Sequence, residues 1–310
     1  MKEEMQHVSP FLKWVGGKRQ LTKKFRNFYP KGLLNGDIAN YAEPFLGGGA
    51  VFFDLINQCN FKKIYLNDIN ADLISVYNHI RTDIDNIIAE LSRLEFDYLK
   101  KDQEKRKAFY YKVRTDFNNK MHNKKSTAKE SFLRTSYFIF LNRTCYNGLY
   151  RINSKGEFNV PAGRYANPRI LDEVNLRNVS DILQNVEIKV GSFQDFKDYM
   201  SDEKTFFYFD PPYRPISKTA SFTSYSKDVF TDKEQEKLCE VFKDLDKKGH
   251  YVMLSNSDPK NHDPNDNFFD DLYRDYNIYR VPARRMVNSD PKKRGAINEI
   301  IVTNYPVENE

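Results

Sequence analysis

Residues 206–209 are four consecutive aromatics, and they run directly into Asp210-Pro211-Pro212-Tyr213. Alternate side chains of a strand point to opposite faces, so an all-aromatic strand is expected to be buried on both. Such a strand belongs to the middle of a parallel sheet covered by helices. The two prolines then end it. Neither has an N–H for the ladder, and each forces extended geometry on the residue before it. Asp210 is therefore expected at the carboxyl end of a central strand, where open α/β sheets bind their ligands.

Further strand-like runs lie at residues 40–43, 63–67, 186–190, 251–254, 278–281 and 298–303, and helical patterns at 20–29, 50–57 and from about Ala71. Residues 258–267 read as a long loop. The fold class expected is α/β: a doubly wound, mostly parallel Rossmann-like sheet with an inserted, mainly helical domain. Residues 1–80 and 175–310 form the sheet domain in this reading, and residues 81–174 the insert. Within the insert, 131–141 read as a buried helix.

Charge sets the insert apart. The chain of 310 residues has a net charge of +6, from 49 basic and 43 acidic residues. Residues 100–169 hold 17 of the basic and 5 of the acidic ones, which leaves 32 against 38 elsewhere. A basic module in an otherwise acidic chain is the footprint of a polyanion partner. The run at 100–129 reads as solvated helices touching phosphates, and the basic loop at 284–294 as a backbone contact or lid. Cys59, Cys145 and Cys239 are far apart and odd in number, so neither a disulfide framework nor a zinc site is expected. The opening MKEEMQHVSP has no apolar signal core, and no run approaches membrane-spanning length. A cytoplasmic enzyme is the expectation.

Two sites carry chemistry. Phe45-Leu46-Gly47-Gly48-Gly49 follows a strand and precedes a helix, and Asp68 ends the next strand. A glycine loop lets backbone N–H groups approach a ligand closely, and a strand-end carboxylate can grip ribose hydroxyls. Any nucleoside cofactor satisfies that pattern, and so does a tight turn beside a strand-end Asp. The spacing departs from the dinucleotide G-x-G-x-x-G. At the second site, Asp210 and the Pro211 carbonyl offer two acceptors for the hydrogens of an exocyclic amine. Pro212 stiffens the turn, and the Tyr213 ring can stack on a base. Positioning and electrostatics would supply most of the rate.

Residues 10–18, 43–49, 143–151, 156–165, 210–213 and 298–305 together resemble the Dam-type (class alpha, D12 family) adenine-N6 DNA methyltransferases, motif order included. The resemblance covers nearly the whole chain. It implies a site-specific enzyme that moves a methyl group from S-adenosylmethionine to adenine N6 in duplex DNA, with no metal. Trp14 and Lys18 would help hold the cofactor, Asp68 its ribose, and Phe193 its adenine ring. Asp210 would meet the target amine beside the cofactor. The family has Gly-Asp-Phe where this chain reads Gly191-Ser192-Phe193, and Asp195 is a candidate substitute for the missing carboxylate. Related enzymes acting on cytosine N4, protein glutamine or RNA adenine carry Ser or Asn at the position of Asp210. A DNA-binding module with a vestigial nucleotide fold is the non-enzymatic alternative.

The same resemblance assigns the insert to target recognition. Adenine inside a duplex must be extruded before its amine can react. Tyr146 would wedge into the stack with Asn147 supporting it, and Leu149 and Pro161 would touch bases. Arg151 would grip one guanine in the major groove and Lys13 the other. Asn159 and Arg164 match phosphate-contacting positions. These positions agree with members that act on GATC. Tyr146 and Leu149 as core residues of a small hairpin, with a solvated Arg151, is the plainer alternative. A cognate restriction endonuclease acting separately is a further expected partner, in a bacterial or phage setting close to the nucleoid.

Overall fold

The computed structural model describes residues 7–14, 16, 18–121, 128–195, 203–214, 230–284 and 296–307. Its α-helices in chain order are α1 (Thr22–Phe25), α2 (Ala50–Ile56), α3 (Ala71–Thr82), α4 (Ile84–Leu99) and α5 (Gln103–Met121), followed by α6 (Ala128–Thr144), α7 (Glu173–Leu183), α8 (Asp232–Lys247) and α9 (Phe268–Leu272). The strands are β1 (Asn40–Glu43), β2 (Lys63–Asp68), β3 (Val186–Val190), β4 (Thr205–Phe209), β5 (Tyr251–Ser257), β6 (Asn277–Arg284) and β7 (Ala296–Thr303). Two compact units emerge. One comprises residues 1–17, 47–57 and 70–188, the other residues 18–46, 58–69 and 189–310.

The strands form one sheet in the order β3-β2-β1-β4-β5-β7-β6. β1 pairs in parallel with β2 and β4, and β4 with β5, while β7 runs antiparallel between β5 and β6. This is the mostly parallel Rossmann-like sheet expected from the sequence. All five residues of β4 are buried. Phe207 and Phe209 join Leu238, Phe242, Val252, Leu254 and Ile300 in one core. Phe206 meets Tyr29 and Tyr41, and Tyr208 meets Phe25. Strand alternation thus explains why only aromatics occupy 206–209. The amphipathic spacing of α8 buries Leu238, Cys239, Phe242 and Leu245. The Thr231 hydroxyl caps it by accepting from Glu234 N–H, with Asp232 and Glu234 in the first turn.

Residues 20–29 do not form the single helix their pattern suggests. A 3-10 turn (Lys18–Gln20), α1 and a second 3-10 turn (Arg26–Phe28) replace it. Tyr29 precedes Pro30 and is extended (φ −69°, ψ 143°), as a pre-proline residue must be.

In the other unit α6 packs against α3, α4 and α5, and α7 against α3 and α4. The expected burial of 131–141 holds for Thr135, Ser136 and 138–141, whereas 131–134 and Tyr137 are half-buried. The polar stretch after α6 folds back through two isolated bridges, Cys145 to Ala162 and Ile152 to Phe158. The basic loop expected at 284–294 lies, from 285 onward, outside the described residues. Among the described residues no helix is long and apolar enough to cross a membrane. All three cysteines are buried, with no disulfide among them.

Phe242 is fully buried and meets the rings of Tyr273 and Tyr276 edge-on. Phe242→Ala is expected to cost about 3–5 kcal/mol of stability, read from guanidinium denaturation midpoints.

Candidate functional site

The end of β4 is a cluster of buried charge. Lys18 Nζ lies 2.6 Å from Asp210 Oδ1, donates to the Tyr213 hydroxyl at 3.1 Å and sits 3.7 Å from Glu299 Oε2. The Tyr213 hydroxyl donates to Glu299 Oε1 at 2.6 Å. Ser255 Oγ donates to Asp210 Oδ1 at 3.4 Å and shares a 2.7 Å hydrogen bond with the Tyr208 hydroxyl. Gln235 of α8 donates to the Pro212 carbonyl at 3.4 Å, tying the proline turn to the helix. Burial pushes the Asp210 carboxyl above its ordinary value, against the pull of Lys18. Glu299 is raised for the same reason. Lys18, despite its burial, is raised by Asp210, Tyr213 and Glu299 and stays a cation. One positive against two negative formal charges leaves an excess of negative charge.

The neighbouring strand ends are stitched by Asn67. Its side-chain amide, 3% exposed, donates to the Pro44 carbonyl at 3.2 Å and the Gly191 carbonyl at 2.9 Å. Leu46 N–H donates to the Asn67 carbonyl, and Gly191 N–H to the Asp68 carbonyl. Phe45 and Phe193 stack at 5.4 Å, and Phe230 meets both, edge-on to Phe45 and tilted to Phe193. Asp68 ends β2 half-buried. The Asp195 carboxylate folds back to accept from Ser192 N–H at 3.0 Å. A carboxylate therefore stands at the turn where the family motif carries one on the preceding residue.

In the other unit, Trp14 fills the space above the glycine loop. A Cβ on Gly47 would lie 2.8 Å from the Trp14 ring, and Gly47 also has φ +49°. The indole stacks on Tyr150 at 5.7 Å. Gly49 precedes α2 with left-handed backbone. Lys13 is anchored at its backbone by the Asn142 side chain, which accepts from its N–H and donates to its carbonyl. Its Nζ sits 4.0 Å above the Tyr165 ring, and burial lowers its pKa. Gly148 has φ +65°, and a Cβ there would collide with the Lys13 side chain.

The stretch after α6 is a braced loop. Tyr146 is 53% exposed, which removes it from any core, and Leu149 is half-buried. Asn147 holds left-handed backbone (φ 55°). Arg151, Pro161 and Arg164 are exposed, and Arg151 Nε donates to Asn159 Oδ1 at 2.7 Å. From α5, Asn118 accepts from Phe158 N–H and donates to its carbonyl, acting as a strand partner. The Tyr110 hydroxyl and Arg114 both donate to the Val160 carbonyl. The sequence singled out none of Asn67, Asn118, Phe230, Gln235, Ser255 or Glu299. Only the position of Glu299 inside the motif at 298–305 hinted at one of them.

Residues 14–287 match the family model described as D12 class N6 adenine-specific DNA methyltransferase. The "Type II methyltransferase M.MjaIII" of Methanocaldococcus jannaschii is 49% identical over 299 residues, covering 96% of this chain and 99% of its own. A "Type II methyltransferase M1.LlaDCHI" of Lactococcus lactis subsp. cremoris is 37% identical, covering 96% of each chain. The "DNA adenine methylase" of Escherichia coli strain K12 is 32% identical, covering 96% of this chain and 95% of its own.

Asn118→Ala leaves the Phe158 N–H and carbonyl without their side-chain partner. It is expected to destabilise the stretch after α6 by about 1–3 kcal/mol. Amide exchange at 156–160 should accelerate while exchange in β4 and β5 stays unchanged.

Proposed function

The chain belongs to the D12 class of N6-adenine-specific DNA methyltransferases, and on that premise we propose that it methylates adenine within GATC in duplex DNA after swinging the target base out of the helix. The observation that carries the reading is Asp210, placed at the carboxyl end of β4 and held by Lys18 and Ser255. Asp210 accepts one N6 hydrogen and the rigid Pro211 carbonyl the other, which localises the nitrogen lone pair on the attacking face. Tyr213, fixed through its hydroxyl by Glu299, stacks on the extruded base. Extrusion costs a few kcal/mol. The N6 proton lost on methylation leaves to water.

The methyl donor proposed is S-adenosylmethionine, which supplies a methyl group on a positively charged sulfur. The residues present fit it. Phe45, Phe193 and Phe230 form an aromatic cluster whose open side could meet an adenine ring, and Asp68 offers a strand-end carboxylate for a ribose. The negative excess of Lys18, Asp210 and Glu299 suits a cation. The cofactor roles of Trp14, Gly47 and Gly49 rest on the sequence pattern and on their mutual packing.

Target recognition is assigned to residues 81–174. Exposure of Tyr146, Arg151, Pro161 and Arg164 supports roles in wedging, guanine reading, base contact and phosphate contact. Lys13, Asn147, Leu149 and Asn159 complete the set. The 17 basic residues of 100–169 supply phosphate contacts, whose counterion release makes affinity fall steeply with salt. Relatives bearing type II names support a cognate restriction endonuclease, acting separately, as a partner.

Asp210→Ala is expected to abolish labelled methyl transfer with duplex affinity kept within about threefold. Retained turnover refutes the role of that carboxylate. DNA treated with the wild-type enzyme should resist a nuclease blocked by adenine methylation at GATC and remain open to one that tolerates it. Cutting by both excludes GATC. Arg151→Ala should cost about 1–3 kcal/mol of discrimination for the correct site. An equal loss on all sequences makes it a phosphate contact.

A further inference from the structure

The buried carboxylate of Glu299 has no place in the two-acceptor chemistry of Asp210 and Pro211. It lies on β7, which pairs with β5 at Ser257 and with β6 at Val281, and it is 3% exposed. Burying a second carboxylate beside Asp210 costs free energy, so its position calls for a compensating role. Its two oxygens are used differently. Oε1 accepts from the Tyr213 hydroxyl, whereas Oε2 makes no hydrogen bond and faces Lys18 Nζ at 3.7 Å.

Lys18 and Ser255 both crowd one oxygen, Oδ1, of the carboxylate that an incoming amine approaches. The Lys18 ammonium is 2.6 Å from Asp210 Oδ1, which also accepts from Ser255. An adenine amine donating to Asp210 competes with that ammonium for the charge of one carboxylate, and a buried ammonium deprived of its counter-charge is costly. A shift of about 1 Å toward Glu299 Oε2 would restore a charge-assisted bond of 2.7–2.9 Å. We propose that Glu299 is a positioning residue that takes over the Lys18 ammonium when the target amine engages Asp210. The inference rests on the adenine-methylation reading above. Tyr213 then keeps its hydrogen bond to Oε1 throughout, so the stacking ring and the ammonium are held by one carboxylate.

Glu299→Gln keeps the shape and an acceptor for Tyr213 but removes the anionic seat. The single-turnover rate of methyl transfer at saturating S-adenosylmethionine is expected to fall at least about tenfold, with affinity for duplex within about threefold of wild type. In a Lys18→Met background the same substitution should add little, because its partner is gone. A rate within twofold of wild type overturns the inference, as do independent, multiplying effects in the double variant. Loss of rate in step with loss of binding makes Glu299 a structural prop and also overturns it. Wild-type enzyme that transfers no methyl to any adenine duplex sinks the parent reading instead. A crystal structure of the wild-type enzyme with cognate duplex and S-adenosylhomocysteine is the second, mutation-free test. Lys18 Nζ is expected closer to Glu299 than to Asp210 once the amine is seated. Lys18 still on Asp210 contradicts the handover.

Discussion

A lysine ammonium and an aspartate carboxylate, 2.6 Å apart at the end of a buried aromatic strand, are the interaction on which the rest of the site depends. Neither charge is tolerable there alone. The pair is tolerable because each partner is over-supported. Ser255 on β5 donates to the carboxylate and is itself bonded to Tyr208 of β4. Glu299 on β7 and the Tyr213 hydroxyl share the ammonium. Three strands and the proline turn therefore converge on one ion pair. The Pro211-Pro212 step keeps the chain extended beyond it, and Gln235 of α8 holds the Pro212 carbonyl. A helix in place of that turn would carry the carboxylate out of register with Ser255.

The same division of labour holds along the other strand ends. Asn67, at the end of β2, ties the segments after β1 and β3 to its own strand with one buried amide, so that Phe45, Asp68 and Phe193 are presented by a common scaffold. In the helical unit, Asn142 anchors Lys13 and also donates to the Gly148 carbonyl, while Asn118 braces Phe158. Asparagines, buried at Asn67 and Asn142 and half-buried at Asn118, act as joints in both units. They offer a donor and an acceptor at once and so satisfy backbone groups that irregular loops would otherwise leave unpaired. The exposed Tyr146 and Arg151 are thus carried on braced loops, which suits the partner-facing roles proposed for them.

The strands were legible because their apolar pattern has no other reading: β1, β3 and β4 fall within one residue of their expected bounds. Asp210 and Asp68 were legible as strand-end carboxylates, and the glycine loop by its position between strand and helix. The 20–29 segment misled because its helical pattern is local, while Pro30 and the burial of Phe25 under Tyr208 decide its course. Glu299, Ser255 and Asn118 escaped notice for a different reason. Each acts on a residue 40 or more positions away, and no local pattern announces such a partner. Ser192 departs from the family motif, and Asp195, already a candidate from the sequence, returns a carboxylate to that turn by accepting from Ser192 N–H.

On the proposed mechanism, Lys18 sets the charge state of the Asp210 carboxylate that would receive the target amine. Asp210 is raised by burial and pulled down by Lys18, with Ser255 donating to it and Glu299 and Tyr213 facing the same ammonium. If Asp210 accepts from the amine as proposed, transfer needs its ionised form, so activity falls as pH drops through that pKa, and removing the ammonium raises it further. The pH dependence of kcat/KM for the free enzyme, compared between wild type and Lys18→Met, reads this directly. The account predicts an acid limb that moves to higher pH in the variant. An acid limb that stays in place, or moves to lower pH, contradicts it.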